Sequence, residues 1–384
     1  MTPSCNVDFQ FLLQAVCQAK QAMGQCSPNP TVGAVVVKNR RIIGSGFHAG
    51  PGQAHAEIAA FRQASESLQG GTLYVTLEPC CHHGRTPPCT DAIIQQGIVR
   101  VVYGYEDPNP QVAGKGIVQL RAHNIACEKM QLPEITELYR SYHYWHQTKK
   151  PWMRLKLAMT ADGMIAYQGG KPARITNSTT NQFTMRQRQK ADAILTSVRT
   201  IINDDPAFTV RINGDVRLRY LYIIDRKCQL PLPIRCLKTA REVIVLHASD
   251  VDIKQRERLV CHGVRCIPCD GLSQMLSIMG QEGRHEVWIE CGATLSRLWI
   301  EEKLINEFFL YVSAKKLNTK GMPHQFDMHS IKNINETPLF KKSLSDFELH
   351  YQLHSKKFDA EWDDAIWHFY FVPKIRSPAS PKPG

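Results

Sequence analysis

Fourteen residues from Thr76 to Cys89, TLEPCCHHGRTPPC, hold three cysteines and two histidines, the side chains that bind zinc and other thiophilic metals. The C-x-x-C spacing of a tight structural zinc site is missing. The stretch alone therefore leaves open which of Cys80, Cys81, His82, His83 and Cys89 touch a metal, and what the metal does. His55-Ala56-Glu57 lies upstream, an imidazole two residues before a carboxylate. One imidazole and two thiolates would give zinc three protein ligands and leave a fourth position for water, whose pKa falls there to ~7. A carboxylate beside that water, not bound to the metal, could take its proton and deliver it to a departing amine.

The order H-x-E, then P-C and a further cysteine, is the arrangement of zinc deaminases. On that order His55, Cys80 and Cys89 are the expected Zn2+ ligands and Glu57 the catalytic proton shuttle. Cys80 leaves a strand for a turn and Cys89 opens the next helix, so the two can converge across eight intervening residues. Two adjacent residues on an irregular segment seldom both face one metal, which disfavours Cys81. The inserted CHHGRTPP becomes a loop at the mouth of the site, where His82, His83 and Arg85 suit substrate contacts. The competing reading is a structural zinc, or no metal.

Helices and strands must carry these groups. Phe9, Leu12, Leu13, Val16 and Ala19 recur at helical spacing, VGAVVVK reads as a buried strand, and RRIIGSGF as a second one after the turn-like Lys38-Asn39. A helix from Ala54 to about Ser67, the strand GTLYVTLE, a helix from near Cys89, the strand IVRVVYGY and a short helix and strand through Ile125 follow. This alternation predicts an α/β/α domain over residues 1–146. From Pro151 the pattern restarts with WMRLKLAMTADGMIA, a helix around 178–190 and strands at ADAILTSV, RLRYLYIID, REVIVLHA, GVRCIPC, HEVWIECG and EFFLYVSAKKL. It predicts a second α/β domain of mixed strand order over 147–374, and the Pro/Ser-rich end at 375–384 reads as a flexible tail.

A chain of 384 residues is long for one core, which also argues for two domains. With 43% apolar and 21% charged residues, it is neither a disordered chain nor a membrane protein. It has no run of eighteen apolar residues, and its first thirty residues lack the layout of a secretory signal. Thirteen cysteines without a framework spacing fit a reducing cytoplasm. The net charge of +12 suits nucleic acid, phosphorylated small molecules or plain solvated faces; Lys and Arg are spread along the chain, which favours solvated faces for most of them.

Together SPNPTVGAVVV, Gly46-Phe47-His48, HAE, TLEPCCHHGRTPPC and DPNPQVAGKG resemble the bifunctional deaminase-reductase family of riboflavin biosynthesis, across nearly all of residues 8 to 145. The resemblance implies a cytidine-deaminase-like sandwich that hydrolytically deaminates 2,5-diamino-6-(5-phosphoribosylamino)pyrimidin-4-one. Asn29, His48 and the His82-His83-Gly84-Arg85 loop would hold the ring and the phosphoribosyl arm. It also implies a dihydrofolate-reductase-like second domain that uses NADPH to reduce the ribosyl side chain to ribityl. LKLAMTADGMIA, ITN, ADAILTSVRTIINDDPAFTVR and WIECGATL carry this half of the likeness.

On the family's positions Ala158, Arg174, Thr200, Asp204, Gly292, Ala293, Thr294 and Leu295 fall at the cofactor, and Lys156, Phe208, Arg211 and Glu290 at the substrate. Asp204 is the expected catalytic carboxylate, in preference to Asp205; the bland reading of Asn-Asp-Asp-Pro is a turn cap. ECGATLSRLWI places a glycine and a hydroxyl at a helix N-terminus, where free N–H groups and the dipole can hold a pyrophosphate. Arg211 could grip a phosphate bidentately. The chain departs from the family at Arg174 for tryptophan, Pro172 for serine, Tyr139 for asparagine and Ala293 for proline, and the likeness fades after about residue 317.

Two other readings compete. A tRNA or other nucleic-acid base deaminase is suggested by the basic charge and HAE, and opposed by the eight-residue insertion and the Asp-Asp-Pro domain. A deaminase with a non-catalytic reductase-like domain is suggested by Pro172 and Arg174. The leading reading expects phosphorylated pyrimidines as partners and a homo-oligomer, with neither nucleic acid nor membrane.

Overall fold

The structure is a computed structural model that describes residues 3–82, 87–110, 112–167, 173–212, 214–313, 315–318, 321–323, 347–356 and 364–373. Its contacts divide the chain into unit 1, residues 1–151 with 279–285, and unit 2, residues 152–278 with 286–384.

Unit 1 runs α1 (Pro3–Lys20), β1 (Gly33–Lys38), β2 (Arg41–Phe47), α2 (Ala56–Arg62), β3 (Thr72–Leu77), α3 (Cys89–Gln95), β4 (Arg100–Tyr105), α4 (Lys115–Ala122), β5 (Ala126–Lys129) and α5 (Pro133–Thr148). The sheet order is β2-β1-β3-β4-β5, with β1 antiparallel to both neighbours and β3, β4 and β5 parallel. In β1, Ala34 and Val36 pack with Ala56, Ala60, Ile93 and Ile117 on one face. Val35 and Val37 pack with Leu12, Val16, Ile135 and Tyr139 on the other. Alternate strand residues point to opposite faces, and because helices cover both, the strand reads as one apolar run.

Helix α2 is shorter than its sequence pattern suggests. It starts at Ala56, with His55 extended at its N-cap, and after Arg62 the Ser65 N–H donates to Ile43 O (2.8 Å), drawing the chain onto β2. A Cβ on Gly44 or Gly46 would stand 2.4 Å from the α2 backbone, so these two glycines let the helix lie directly against the strand.

Unit 2 runs β6 (Trp152–Thr160), β7 (Met164–Tyr167), α6 (Ser178–Lys190), β8 (Ala193–Ser197), α7 (Val198–Asp204), β9 (Val210–Ile212), β10 (Asp215–Arg217), β11 (Tyr220–Ile224), α8 (Cys236–Thr239), β12 (Glu242–His247), α9 (Ile253–Val260), β13 (Arg265–Pro268), α10 (Leu272–Gln281), β14 (Glu286–Glu290), α11 (Ala293–Glu301), β15 (Glu307–Ser313), β16 (Gly321–Pro323), β17 (Phe347–Lys356) and β18 (Asp364–Pro373). The main sheet has the order β13-β12-β11-β8-β14-β6-β15-β18-β17. It is parallel as far as β15 and antiparallel from there on. The mixed sheet agrees with the sequence pattern, whereas α5 and the β17–β18 hairpin were not anticipated. Buried His368 ties that hairpin in, bonding Glu307 Oε2 at 2.7 Å and stacking on Phe309. Among the described residues no helix is long and apolar enough to cross a membrane.

Candidate active sites

The end of β3, the start of α2 and the start of α3 meet in unit 1. His55 Nδ1 lies 3.2 Å from Cys89 Sγ and 3.5 Å from Cys80 Sγ, and all three donor atoms fall within 4.8 Å of one another. The Cys89 N–H points at Cys80 Sγ (3.5 Å) and the Thr90 N–H bonds Cys80 O (3.2 Å), so the first turn of α3 pins the end of the β3 segment. Cys89 as hydrogen-bond donor, opposed by burial and helped by His55, draws the Cys80 thiol toward thiolate. His55 is raised to about 8, chiefly by its bond to Cys80. One imidazole nitrogen and two sulfurs, facing each other at this spacing, fit the donor set of a tetrahedral zinc with one open position. Cys81, half-buried, is not in the set.

A cavity of about 280 Å3 opens on this cluster, lined among others by Asn29, His48, Glu57, His82 and Asp107. Glu57 is 4% exposed, on the first turn of α2. Burial, then the charge of Cys80, pushes its carboxyl up to about 7. His48 bonds Ala54 O through Nδ1 (3.0 Å) and meets Asn29 Nδ2 at Nε2 (3.0 Å). Burial holds His48 below its ordinary range, so its neutral ring donates at Nδ1 and accepts at Nε2. His83 and Arg85 lie outside the described residues.

Sequence reasoning missed Glu78. This buried carboxylate accepts from the N–H groups of Asp107 (3.4 Å), Gly114 (2.9 Å), Gly116 (3.2 Å) and Ile117 (3.4 Å), and so holds the DPNP segment against the cavity. Its signal was an acidic residue directly after the mostly apolar β3. Gly116 is required here because a Cβ would sit 2.1 Å from Pro79 O.

In unit 2, Lys156 on β6 and Glu290 at the end of β14 are register partners. Arg188 of α6 grips the Glu290 carboxylate with Nε on Oε1 (2.5 Å) and Nη2 on Oε2 (2.9 Å), and Trp288 Nε1 donates to Oε1 (2.7 Å). Burial would raise Glu290, but Arg188, Lys156 and the Trp288 bond bring it to about 2. Lys156 is lowered by burial, against the pull of Glu290. Its ammonium lies 5.3 Å from the centre of the Tyr311 ring, and Arg188 lies 5.4 Å from that of Phe208. Phe208 is buried at a φ of 48°, a left-handed conformation uncommon for an aromatic residue. Arg188 and Trp288 were not singled out in the sequence, where one is an arginine among several basic residues and the other reads as core.

Asp204 ends α7, close enough for its charge to act on Lys156. The cap is Asp205, at a φ of 36°, whose Oδ1 accepts from the Arg235 N–H (2.9 Å). Helices α7 and α11 start at the carboxyl ends of the adjacent parallel strands β8 and β14, the end of an open sheet where ligands bind. Ser197 caps α7 through Thr200 N and meets the Thr200 hydroxyl at 3.1 Å. By contrast α11 has no side-chain cap, and Gly292 at its N-cap is exposed with open space where a Cβ would stand. A helix N-terminus that opens on free space beside Gly292 fits the phosphates of a nicotinamide cofactor.

Ala293 is buried and Thr294 exposed on the first turn of α11, with Leu295 half-buried behind them. Ala158 pairs with Tyr311 across β6 and β15. Arg174 is exposed, its carbonyl held by Lys315 Nζ (3.1 Å). Arg211 is exposed on β9, and no described contact brings it to the Lys156–Glu290 cluster. Pro172 lies outside the described residues.

A cytidine-deaminase-like sandwich followed by a dihydrofolate-reductase-like sheet defines a two-domain deaminase–reductase. Residues 6–105 match the cytidine and deoxycytidylate deaminase zinc-binding region, and residues 151–341 the RibD C-terminal domain. The chain is 34% identical to the riboflavin biosynthesis protein RibD of Actinobacillus pleuropneumoniae, over 87% of this chain and 91% of that one. It is 32% identical to RibD of Escherichia coli, over 87% and 95%. Among solved structures, Acinetobacter baumannii RibD superposes with a TM-score of 0.80 at 33% identity, over 96% of this chain and 99% of that one. The Thermotoga maritima diaminohydroxyphosphoribosylaminopyrimidine deaminase/5-amino-6-(5-phosphoribosylamino)uracil reductase superposes with 0.79 at 30%, over 96% and 100%. The chain belongs to the RibD family, and is a bifunctional deaminase and reductase of riboflavin biosynthesis.

Proposed function

We propose that unit 1 deaminates 2,5-diamino-6-(5-phosphoribosylamino)pyrimidin-4-one and that unit 2 reduces the ribosyl side chain of the product to ribityl with NADPH. The deaminase domain is assigned to residues 1–146, the reductase domain to 147–374 and a tail to 375–384. The carrying observation is the convergence of the His55, Cys80 and Cys89 donors on the wall of a cavity that also holds Glu57. Those three residues would hold zinc, whose Lewis acidity makes water a nucleophile near neutral pH. Glu57 takes the proton of the attacking water on its carboxylate and passes it to the departing exocyclic nitrogen: a C–O bond forms, the C–N bond breaks and ammonia leaves. Asn29 and the neutral His48 orient the ring, and His82, His83 and Arg85 hold the phosphoribosyl arm. A cavity of about 280 Å3 suits one pyrimidine ring better than a nucleic-acid strand.

In unit 2, NADPH would lie along Ala158, Arg174, Thr200 and the turn from Gly292 to Leu295, and supplies the hydride that reduces C1 of the opened ribosyl chain. Lys156, Phe208 and Glu290 line the substrate, Arg211 takes its phosphate, and Asp204 is the catalytic carboxylate. The reading is supported by the Lys156–Glu290–Asp204 charge cluster at the carboxyl end of the sheet. Metal analysis of the purified chain, with ammonia release and NADPH oxidation followed together on the diaminopyrimidine phosphate, tests it. About one zinc per chain and both signals in sequence are expected; ammonia without NADPH consumption would make unit 2 non-catalytic.

A further inference from the structure

We propose that Trp288 is a positioning residue of the reductase site, which decides that Glu290 meets its ligand through Oε2 and not Oε1. The inference rests on the reading of Glu290 as a substrate contact. Trp288 and Glu290 are two apart on β14, so their side chains leave the same face of the sheet. A buried indole N–H needs an acceptor, and here it takes the carboxylate: Trp288 is fully buried, with Nε1 2.7 Å from Glu290 Oε1. Arg188 Nε is on the same oxygen at 2.5 Å, while Oε2 accepts only Arg188 Nη2, at 2.9 Å, among the described contacts.

An ionised carboxylate offers about two acceptor positions on each oxygen. Oε1 is therefore filled and Oε2 keeps one. A donor-rich ligand, such as an aminopyrimidine or an open-chain sugar, can reach Glu290 only there. Arg188 alone would not impose this choice, because its fork places one N–H on each oxygen and leaves the two equally loaded; the indole N–H makes them differ.

The indole is itself locked. The Arg154 guanidinium lies 5.2 Å from its ring on β6, and the Phe309 ring is centred 5.2 Å away on β15. Arg154 is in turn bonded to Glu286 Oε1 (2.7 Å) and Glu307 Oε2 (3.3 Å). The charged and titratable groups that act on Glu290 are Arg188 from α6, Lys156 from β6, Tyr311 from β15 and the adjacent Cys291, with Asp204 of α7 acting through Lys156. Removing the indole N–H changes none of them.

The test is Trp288→Phe in the full chain, with the deaminated pyrimidine supplied and NADPH oxidation followed. The KM for the pyrimidine should rise about tenfold, the scale of a lost hydrogen bond to a charged group, with kcat and the KM for NADPH close to wild type. Ammonia release by unit 1 should be unchanged. Should the smaller ring unfold unit 2, 3-benzothienylalanine incorporated at position 288 keeps the indole shape and removes only the N–H, and the same KM rise is expected. A wild-type pyrimidine KM in a folded variant whose Glu290→Gln counterpart shows a raised KM overturns the role of Trp288 alone. A wild-type KM in both overturns the reading of Glu290 as well. An equal loss in kcat and in both KM values reduces Trp288 to a packing residue and also overturns the proposal.

Discussion

Glu57 in unit 1 and Glu290 in unit 2 are both carboxyl groups withdrawn from water beside a cluster of ionisable groups, and their surroundings drive them in opposite directions. At Glu57 burial dominates and the nearby Cys80 thiolate adds to it, and the weaker opposition of His55, the Glu57 backbone N–H and Cys89 leaves the carboxyl raised to about 7. At Glu290 the same burial is overcome by a bidentate arginine, a lysine and an indole N–H, and the carboxyl falls to about 2. A group that must take and return a proton needs a pKa near the working pH. A group that must hold a fixed charge and shape needs the reverse. On the proposed reading, one chain uses the same side chain as a proton carrier in one domain and as a rigid acceptor in the other, and bonded cations decide which.

The largest effect should come from removing the ligand set. Cys89→Ser should lose the bound zinc and all deamination, while Cys81→Ser keeps both, as read by metal analysis beside ammonia release; equal loss in the two would place the metal elsewhere. Next is the proton carrier itself. Glu57→Gln should keep its zinc yet lose deamination by ~10² to 10⁴, because an amide cannot carry the proton; near-normal ammonia release from a zinc-loaded variant would erase the contrast between the two carboxylates.

On the other side, Arg188→Ala leaves the half-buried Glu290 without its fork and should cost unit 2 about 2 kcal/mol, below the scale of a broken fully buried pair. A thermal melt that shows no change would mean that Lys156 alone suffices. The smallest effect concerns a pair remote from either site. Arg100 bonds both oxygens of Asp8 at 2.9 Å, and this bond holds the Asp8 carboxyl below its ordinary range. The stability it contributes is complete above the unfolded carboxylate pKa of about 4 and is lost as the pH falls through the lower folded value. Asp8→Asn should therefore destabilise unit 1 by about 1 kcal/mol at pH 7, and the gap to wild type should close in acid; a constant gap would deny the linkage.

The legibility of the sequence followed the same divide. His55, Glu57, Cys80 and Cys89 are rare side chains at element ends, so their spacing carried both the cluster and the strand–helix turns that bring it together. Ala34 and Val36 against Val35 and Val37 likewise announced a sheet covered on both faces. Arg188 in MRQRQK looks like any solvated basic residue, and only the packing of α6 across β14 turns it toward Glu290. Trp288 has the pattern of core, and its polar edge matters only once Glu290 is beside it. Glu78 works through backbone N–H groups nearly forty residues away, a pairing that no local pattern shows. The β17–β18 hairpin joins the sheet by long-range antiparallel pairing to β15, beyond the point where the family likeness fades.

The central claim is that two independent sites, each with its own carboxylate role, share this chain. It is tested most directly by giving zinc-loaded Glu57→Gln protein the preformed deaminated pyrimidine and following NADPH absorbance. The account predicts oxidation at the wild-type rate from a protein that releases almost no ammonia from the diaminopyrimidine. Loss of NADPH oxidation in that variant, with its fold and zinc intact, would contradict it.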